Sequence, residues 1–326
     1  MTRTDLLCRL LAWSGALRVR AALAARRPGR HLVILAYHRV LNSPAEALPL
    51  DEDLVSCTAA EFEREMAFVA RTFDVVSFRN LEEGMEALRR PLIVTFDDGY
   101  RDNHDVALPI LRRHGVKATF FVTTGYIGAE TLPWWDETAL RLRAAGPRDW
   151  AWEREGWPRG APEFLAWAKT LPDARRRAVL DEIRRQLGPL PAGAGRGVMM
   201  AWDEVRDLAA NGMEIGSHTV SHPVLANVRD AVELQRELTE SRGRIERETG
   251  REAVALSYPV GRSSTATETV VRAARQAGYR HACLYEHGVN PRRGFDPFRL
   301  RRIKAEVGAD FRRFRAKVLF PGLVRY

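Results

Sequence analysis

Lysine is almost absent from this chain: of 51 basic side chains in 326 residues, only Lys117, Lys169, Lys304 and Lys317 are lysines. The net charge of +9 is therefore carried by arginine, dispersed along the sequence with no recognition motif. That pattern argues against nucleic-acid binding and leaves an anionic membrane surface as the more credible attraction. Cysteine is nearly absent too. Cys8, Cys57 and Cys283 have no paired spacing, which excludes a disulfide scaffold and fits a reducing compartment or plain burial. No run of 18 apolar residues occurs, so a spanning helix is not expected. A basic signal-peptide start is also lacking, because Asp5 occupies that region. The expectation is a cytoplasmic protein, peripheral on the inner face of the membrane. A composition that is 45% hydrophobic and 29% charged excludes global disorder.

The organisation along the chain is read from hydrophobic pattern. Residues 1–30 form an amphipathic basic segment, with Arg9, Arg18 and Arg20 interrupting an apolar stretch. It has two readings, a helix packed on the body of the protein or one lying on a membrane face. Residues 311–326 mix Phe314, Leu319 and Phe320 with Arg312, Arg313 and Lys317, and read as a similar basic and apolar tail. Between them, over 31–310, short apolar runs alternate with helical patterns, the signature of βα units. Strands are expected near 32–37, 75–77, 92–96, 117–122, 213–217, 253–258, 282–284 and 300–303, and helices near 61–71, 106–114, 202–210 and 232–249. The fold class is α/β, a distorted or incomplete (β/α) barrel of about seven to eight strands. Alternation fails over 128–198, a segment rich in tryptophan (Trp134, Trp135, Trp150, Trp152, Trp157, Trp167) that reads as an insertion on the barrel rim.

The chemistry concentrates where the apolar run 91–94 leads into Thr95-Phe96-Asp97-Asp98-Gly99-Tyr100. Two adjacent carboxylates at the end of a buried strand cost several kcal/mol unless a cation, a proton or a metal joins them. His218-Thr219-Val220-Ser221-His222 supplies candidates. If the backbone turns helically there, histidines four apart point the same way. Two imidazoles and one carboxylate suit zinc with an open fourth position, and other divalent metals remain alternatives. The second carboxylate is then free to take a proton from attacking water.

These residues resemble the polysaccharide deacetylases of the NodB-homology type, carbohydrate esterase family 4. The likeness extends to Gly115-Val116-Lys117-Ala118-Thr119-Phe120-Phe121-Val122 and to Trp202-Asp203-Glu204-Val205, and covers about 32–303 less the insertion. It implies a NodB-type barrel and metal-dependent removal of an N-acetyl or similar N-acyl group from an amino sugar of a surface polysaccharide or its lipid-linked precursor. Asp98, His218 and His222 are then the metal ligands, with zinc the expected ion, and Asp97 is the general base.

The third family motif, roughly Arg-x-Pro-aromatic-Gly, reads Ser257-Tyr258-Pro259-Val260-Gly261. Tyr258 is expected to offer the backbone N–H that helps hold the oxyanion. The motif arginine is Ser257 here, and its Asp-x-x-Asp-Trp partner is missing. Arg262, Arg299 and Arg302 are the substitutes, and nothing in the sequence selects among them. The usual late Leu-x-His is also absent, but Leu35-Ala36-Tyr37-His38-Arg39-Val40 resembles the branch acting on poly-N-acetylglucosamine-type exopolysaccharides, in which the acid histidine comes first. His38 is accordingly the expected general acid. Asp102 and Asn103 are expected to cap the following helix, and Trp134 and Trp135 to stack on a sugar or cover the site. The missing arginine keeps a second reading open, a catalytically silent barrel that binds glycans or partners a glycosyltransferase.

Overall fold

The computed structural model describes residues 29, 31–43, 46, 50–81, 85, 87–145, 156–158, 160–306, 308 and 310–321. The amphipathic segment 1–28, Trp150 and Trp152 lie outside them. Among the described residues the strands are β1 (His31–Tyr37), β2 (Arg39–Leu41), β3 (Val55–Thr58), β4 (Asp74–Val75), β5 (Pro91–Phe96), β6 (Ala118–Val122), β7 (Glu214–Ser217), β8 (Ala255–Ser257), β9 (His281–His287), β10 (Asn290–Pro291) and β11 (Leu300–Lys304). The α-helices are α1 (Ala59–Thr72), α2 (Leu108–His114), α3 (Trp134–Ala145), α4 (Ala161–Ala168), α5 (Asp173–Leu187), α6 (Trp202–Ala210), α7 (Ala231–Thr249), α8 (Glu268–Gln276) and α9 (Phe311–Leu319).

Seven strands close into a parallel barrel in the order β1, β11, β9, β8, β7, β6, β5, and β5 pairs back onto β1 from Val33 opposite Leu92 to Tyr37 opposite Phe96. The barrel is thus closed, where the sequence left completeness open. Strand β5 is buried along its whole length, as expected for a strand covered on both faces in a parallel sheet. Parallel closure puts every strand's C-terminal end on one rim, so Asp97, His38, His218 and the end of β11 meet there although they come from distant parts of the chain.

Outside the barrel, α1 begins with a capping box in which Thr58 and Glu61 satisfy each other's backbone donors. The 311–319 stretch read as part of a basic tail is instead α9, with Phe314, Val318 and Leu319 buried and its rings packed edge-on against Phe68 of α1. The insertion folds into α3, α4 and α5, which bury Trp134, Trp135, Trp157, Phe164, Leu180 and Ile183 in a cluster of their own. No helix of the described residues is long and apolar enough to cross a membrane.

Candidate active site

Asp97 is 1% exposed, and its charge is answered by Arg302, itself fully buried on β11. Arg302 Nη1 donates to Asp97 Oδ1 at 2.8 Å and Nη2 to Oδ2 at 2.7 Å, a two-pronged pair. The remaining guanidinium donors go to Thr95 Oγ1 (3.1 Å), Ser257 Oγ (2.9 Å) and the Leu284 carbonyl (2.8 Å). Ser257 Oγ donates in turn to Asp97 Oδ2 at 3.2 Å. Burial alone would raise the Asp97 pKa, but Arg302 more than reverses this and holds the carboxyl well below the usual range. The arginine missing from the third motif is therefore replaced from a different strand, with Ser257 tying the two groups together. Arg299 is committed to Asp296 and Glu268.

Asp98 faces the two histidines. Its Oδ1 lies 3.4 Å from His218 Nε2 and 3.6 Å from His222 Nε2, and the two Nε2 atoms are 3.1 Å apart. These three side chains can converge on one ion. The His218 Nδ1 hydrogen goes to the Ser257 carbonyl at 2.7 Å, which leaves the Nε2 lone pair aimed inward. Burial lowers the pKa of both imidazoles and keeps them neutral, as ligands must be. Burial first, and Asp97 second, push the Asp98 carboxyl well above the carboxylate range. A divalent cation is the charge this donor set lacks, and the residues fit one.

The histidines converge without a helix. Residues 218–222 form a loop in which Thr219 and His222 have φ of 68° and 58°. Glu237, fully buried on α7, accepts from the N–H groups of Val220 and Ser221 and from Ser221 Oγ, and so fixes the loop. Among the described residues only Asp98, Thr219, His222 and Val260 are non-glycine positions with left-handed φ. All four belong to this site, a concentration of backbone strain that marks functional centres.

His38 follows β1 on the same rim. Its N–H donates to Ser56 Oγ and its carbonyl accepts from Asn103 Nδ2, both at 2.7 Å. Its Nε2 is 4.0 Å from Asp98 Oδ2, and its ring packs edge-on against Tyr285. Burial lowers its pKa to about 3, while Asp97 pulls the other way by favouring the imidazolium. Asp102 does not cap the following helix. It accepts from Arg39 Nε and the Val40 N–H, holding β2 in place beside His38.

Tyr258 does not fill the role expected of it. Its backbone N–H already donates to the Cys283 carbonyl at 3.1 Å, because β8 pairs with β9 there. Val260, two residues on, lines the cavity at φ 64°, and among the described residues its N–H has no backbone acceptor. Gly261 allows this turn, since a Cβ there would meet Tyr285 N at 2.4 Å. Val260 is therefore the candidate for that donor, and Tyr258 contributes a buried wall.

The Trp134 and Trp135 pair braces His222. Trp135 packs 4.4 Å from the His222 ring, and its Nε1 donates to Tyr100 Oη, which donates to the buried Asp136. Trp134 Nε1 donates to the His222 carbonyl. Tyr100 closes the Asp97-Asp98 motif but was given no role there, and nothing in the sequence around Asp136 or Glu237 marks either one.

Asp97, Asp98, His38, His218, His222, Trp135, Tyr258 and Val260 border a cavity of about 510 Å³, walled in part by Leu165 and Lys169 at the insertion. The polysaccharide deacetylase family profile matches residues 85–282, more than half of the chain. The chain belongs to the polysaccharide deacetylase family. Among curated relatives it is 22% identical over 228 residues to YxkH of Bacillus subtilis (strain 168), named as a polysaccharide deacetylase. That match takes in 70% of this chain and 56% of the relative's length. Solved polysaccharide deacetylase structures share the fold. Streptococcus pyogenes deacetylase PplD, solved with acetate, is 18% identical with a TM-score of 0.55, over 84% of this chain and 91% of that one. IcaB from Ammonifex degensii is also 18% identical, with a TM-score of 0.56 over 90% and 98%.

Proposed function

We propose that this family member is a metal-dependent N-deacylase that removes an acetyl or similar group from an amino sugar. One observation carries the reading: a convergent Asp98, His218 and His222 triad shares a cavity floor with a second carboxylate, Asp97, held ionised by Arg302. Asp98, His218 and His222 would hold a divalent ion, of which zinc is the expected one, and it would supply Lewis acidity toward the acyl carbonyl and the attacking water. The rest is the work of the chain itself.

Asp97 accepts the proton lost by the attacking water, and its two-pronged pair with Arg302 fixes the direction from which it does so. The Val260 N–H donates to the carbonyl oxygen as negative charge builds on it. His38, neutral at rest because it is buried, takes up a proton from solvent and passes it to the nitrogen as the C–N bond breaks, while Asp97 releases the proton it took from water, so that acetate and a free amine leave. The reading of a silent barrel rested on the missing motif arginine, and Arg302 removes that motive.

The test uses metal analysis and acetate release on an N-acetylated amino sugar. Asp98→Ala and His218→Ala are expected to lose bound metal and activity together. Asp97→Asn is expected to keep the metal and lose turnover by about 100-fold or more, the scale of a general base. Full activity in any of the three overturns the assignment.

A further inference from the structure

The cavity carries positive charge that deacylation does not use. Lys304 ends β11 two residues beyond Arg302, on the same side of the strand. Its ammonium lies 3.9 Å from the centroid of the Tyr285 ring. No carboxylate of the described residues forms an ion pair with it. The two acids that face it are engaged elsewhere, Glu306 with Lys317 and Arg313, and Glu286 with Ser263 and Arg301. The cations around it are Arg302, consumed by Asp97, and Arg262; burial, then Arg302, then Arg262 lower its pKa.

Arg262 and Ser264, in the segment after β8, line the same cavity as Lys304, Arg262 close enough to act on the Lys304 charge, and no ion pair or hydrogen bond engages either side chain among the described residues. Composition does not explain the arrangement. Only four lysines occur in the chain, and two of them, Lys169 and Lys304, line this one cavity. A half-buried ammonium between guanidinium groups is unfavourable unless an anion joins it.

We propose that Lys304, Arg262 and Ser264 form a phosphate subsite, so that the sugar deacylated here carries a phosphate on the same ring as its acyl amide. The proposal deepens the deacylase reading and rests on it. A point-charge ammonium, a guanidinium and a hydroxyl lining one cavity from two elements match the several oxygens of a tetrahedral phosphate better than the two of a planar carboxylate. Position argues for the same ring. Tyr285, beneath Lys304, packs 4.8 Å from the ring of His38, the group that protonates the leaving nitrogen. One aromatic ring thus separates the subsite from the reacting amide, too short a span for a charge several sugars away. The substrate class is a glycosyl phosphate or a sugar held through a diphosphate.

Two measurements judge this separately from deacylation. Inorganic phosphate is titrated calorimetrically into the wild-type protein, Lys304→Met and Arg262→Met. At least tenfold weaker binding in Lys304→Met, with a smaller loss in the exposed Arg262→Met, supports the subsite. Equal binding in all three puts the phosphate on the metal centre and overturns it, as does no binding to the wild type. In the second measurement, kcat/KM for acetate release is compared among an N-acetylhexosamine, its 1-phosphate and its uronic acid. The 1-phosphate is expected to lead by at least tenfold, with the ratio over the neutral sugar collapsing in both variants. A preference for the uronic acid, or none, overturns the proposal. Free sugar phosphate and lipid phosphate are told apart by repeating the assay with the sugar on a polyprenyl phosphate in neutral vesicles. Acetate release from none of the sugars defeats the deacylase reading alone, because the phosphate titration stands without turnover.

Discussion

Arg302 reaches Asp97 across 205 residues of chain, and this separation explains what a reader of the sequence can and cannot find. Asp97, Asp98, His218 and His222 are legible because each pair lies within one short motif. The partner of Asp97 is not, because choosing among Arg262, Arg299 and Arg302 needs the strand register that alternates Arg301 outward and Arg302 inward. All five guanidinium donors of Arg302 are spoken for, so a lysine there keeps the charge and loses the fork. Arg302→Lys is expected to fold, to bind metal normally and to lower kcat by about 100-fold, the scale of a misplaced catalytic group. Circular dichroism, metal content and acetate release check this, and wild-type kcat would show that the orientation of Asp97 is set by something other than the fork. Tyr258 was misread for a related reason. The motif named the segment, but only the β8 to β9 pairing reveals that its N–H is taken and that the strained Val260 has the free donor.

At the scale of elements, the seven barrel strands and β4 were legible as short apolar runs, the eight expected strands lying within a few residues of them, whereas the short β2, β3 and β10 were not expected. Closure was not legible, since the β1 to β5 pairing leaves no local mark. The loop 218–222 shows a different limit. Spacing suggested a helix, and the structure instead uses two left-handed residues anchored by a carboxylate from α7. Glu237→Ala leaves two backbone N–H groups and the half-buried Ser221 hydroxyl without their acceptor, a cost on the order of 3 kcal/mol. The same change frees His222 and its neighbours to move, and loss of such an outer partner lowers metal affinity roughly 10–100-fold. Urea denaturation and zinc titration are expected to show both effects, whereas Glu237→Gln, which keeps an acceptor, is expected to recover part of each. A stability loss with unchanged affinity would mean that the loop is held to its shape by Ser217 and Thr219 instead.

At the scale of the whole molecule, the rim chemistry depends on how the helical layer is fastened to the barrel, and one joint is titratable. Glu65 of α1 is buried and accepts from Tyr37 Oη of β1 at 2.7 Å. Burial, opposed by Tyr37 and by Lys317 of α9 and reinforced by Glu61, raises its pKa to about 7. A carboxyl with a raised folded-state pKa favours folding when protonated. Its contribution is therefore fully present below the unfolded value of about 4.3 and is lost as pH rises through about 7. A shift of that size corresponds to about 4 kcal/mol. Glu65→Gln keeps an acceptor for Tyr37 and removes the ionisation, so the variant is expected to match the wild type near pH 4.5 and to exceed it by up to that amount near pH 8. Denaturant midpoints across this range measure the difference between the two proteins, which cancels every other titrating group. Parallel curves would mean that Lys317 neutralises Glu65 in the folded state and that the joint between barrel, α1 and α9 is an ion pair.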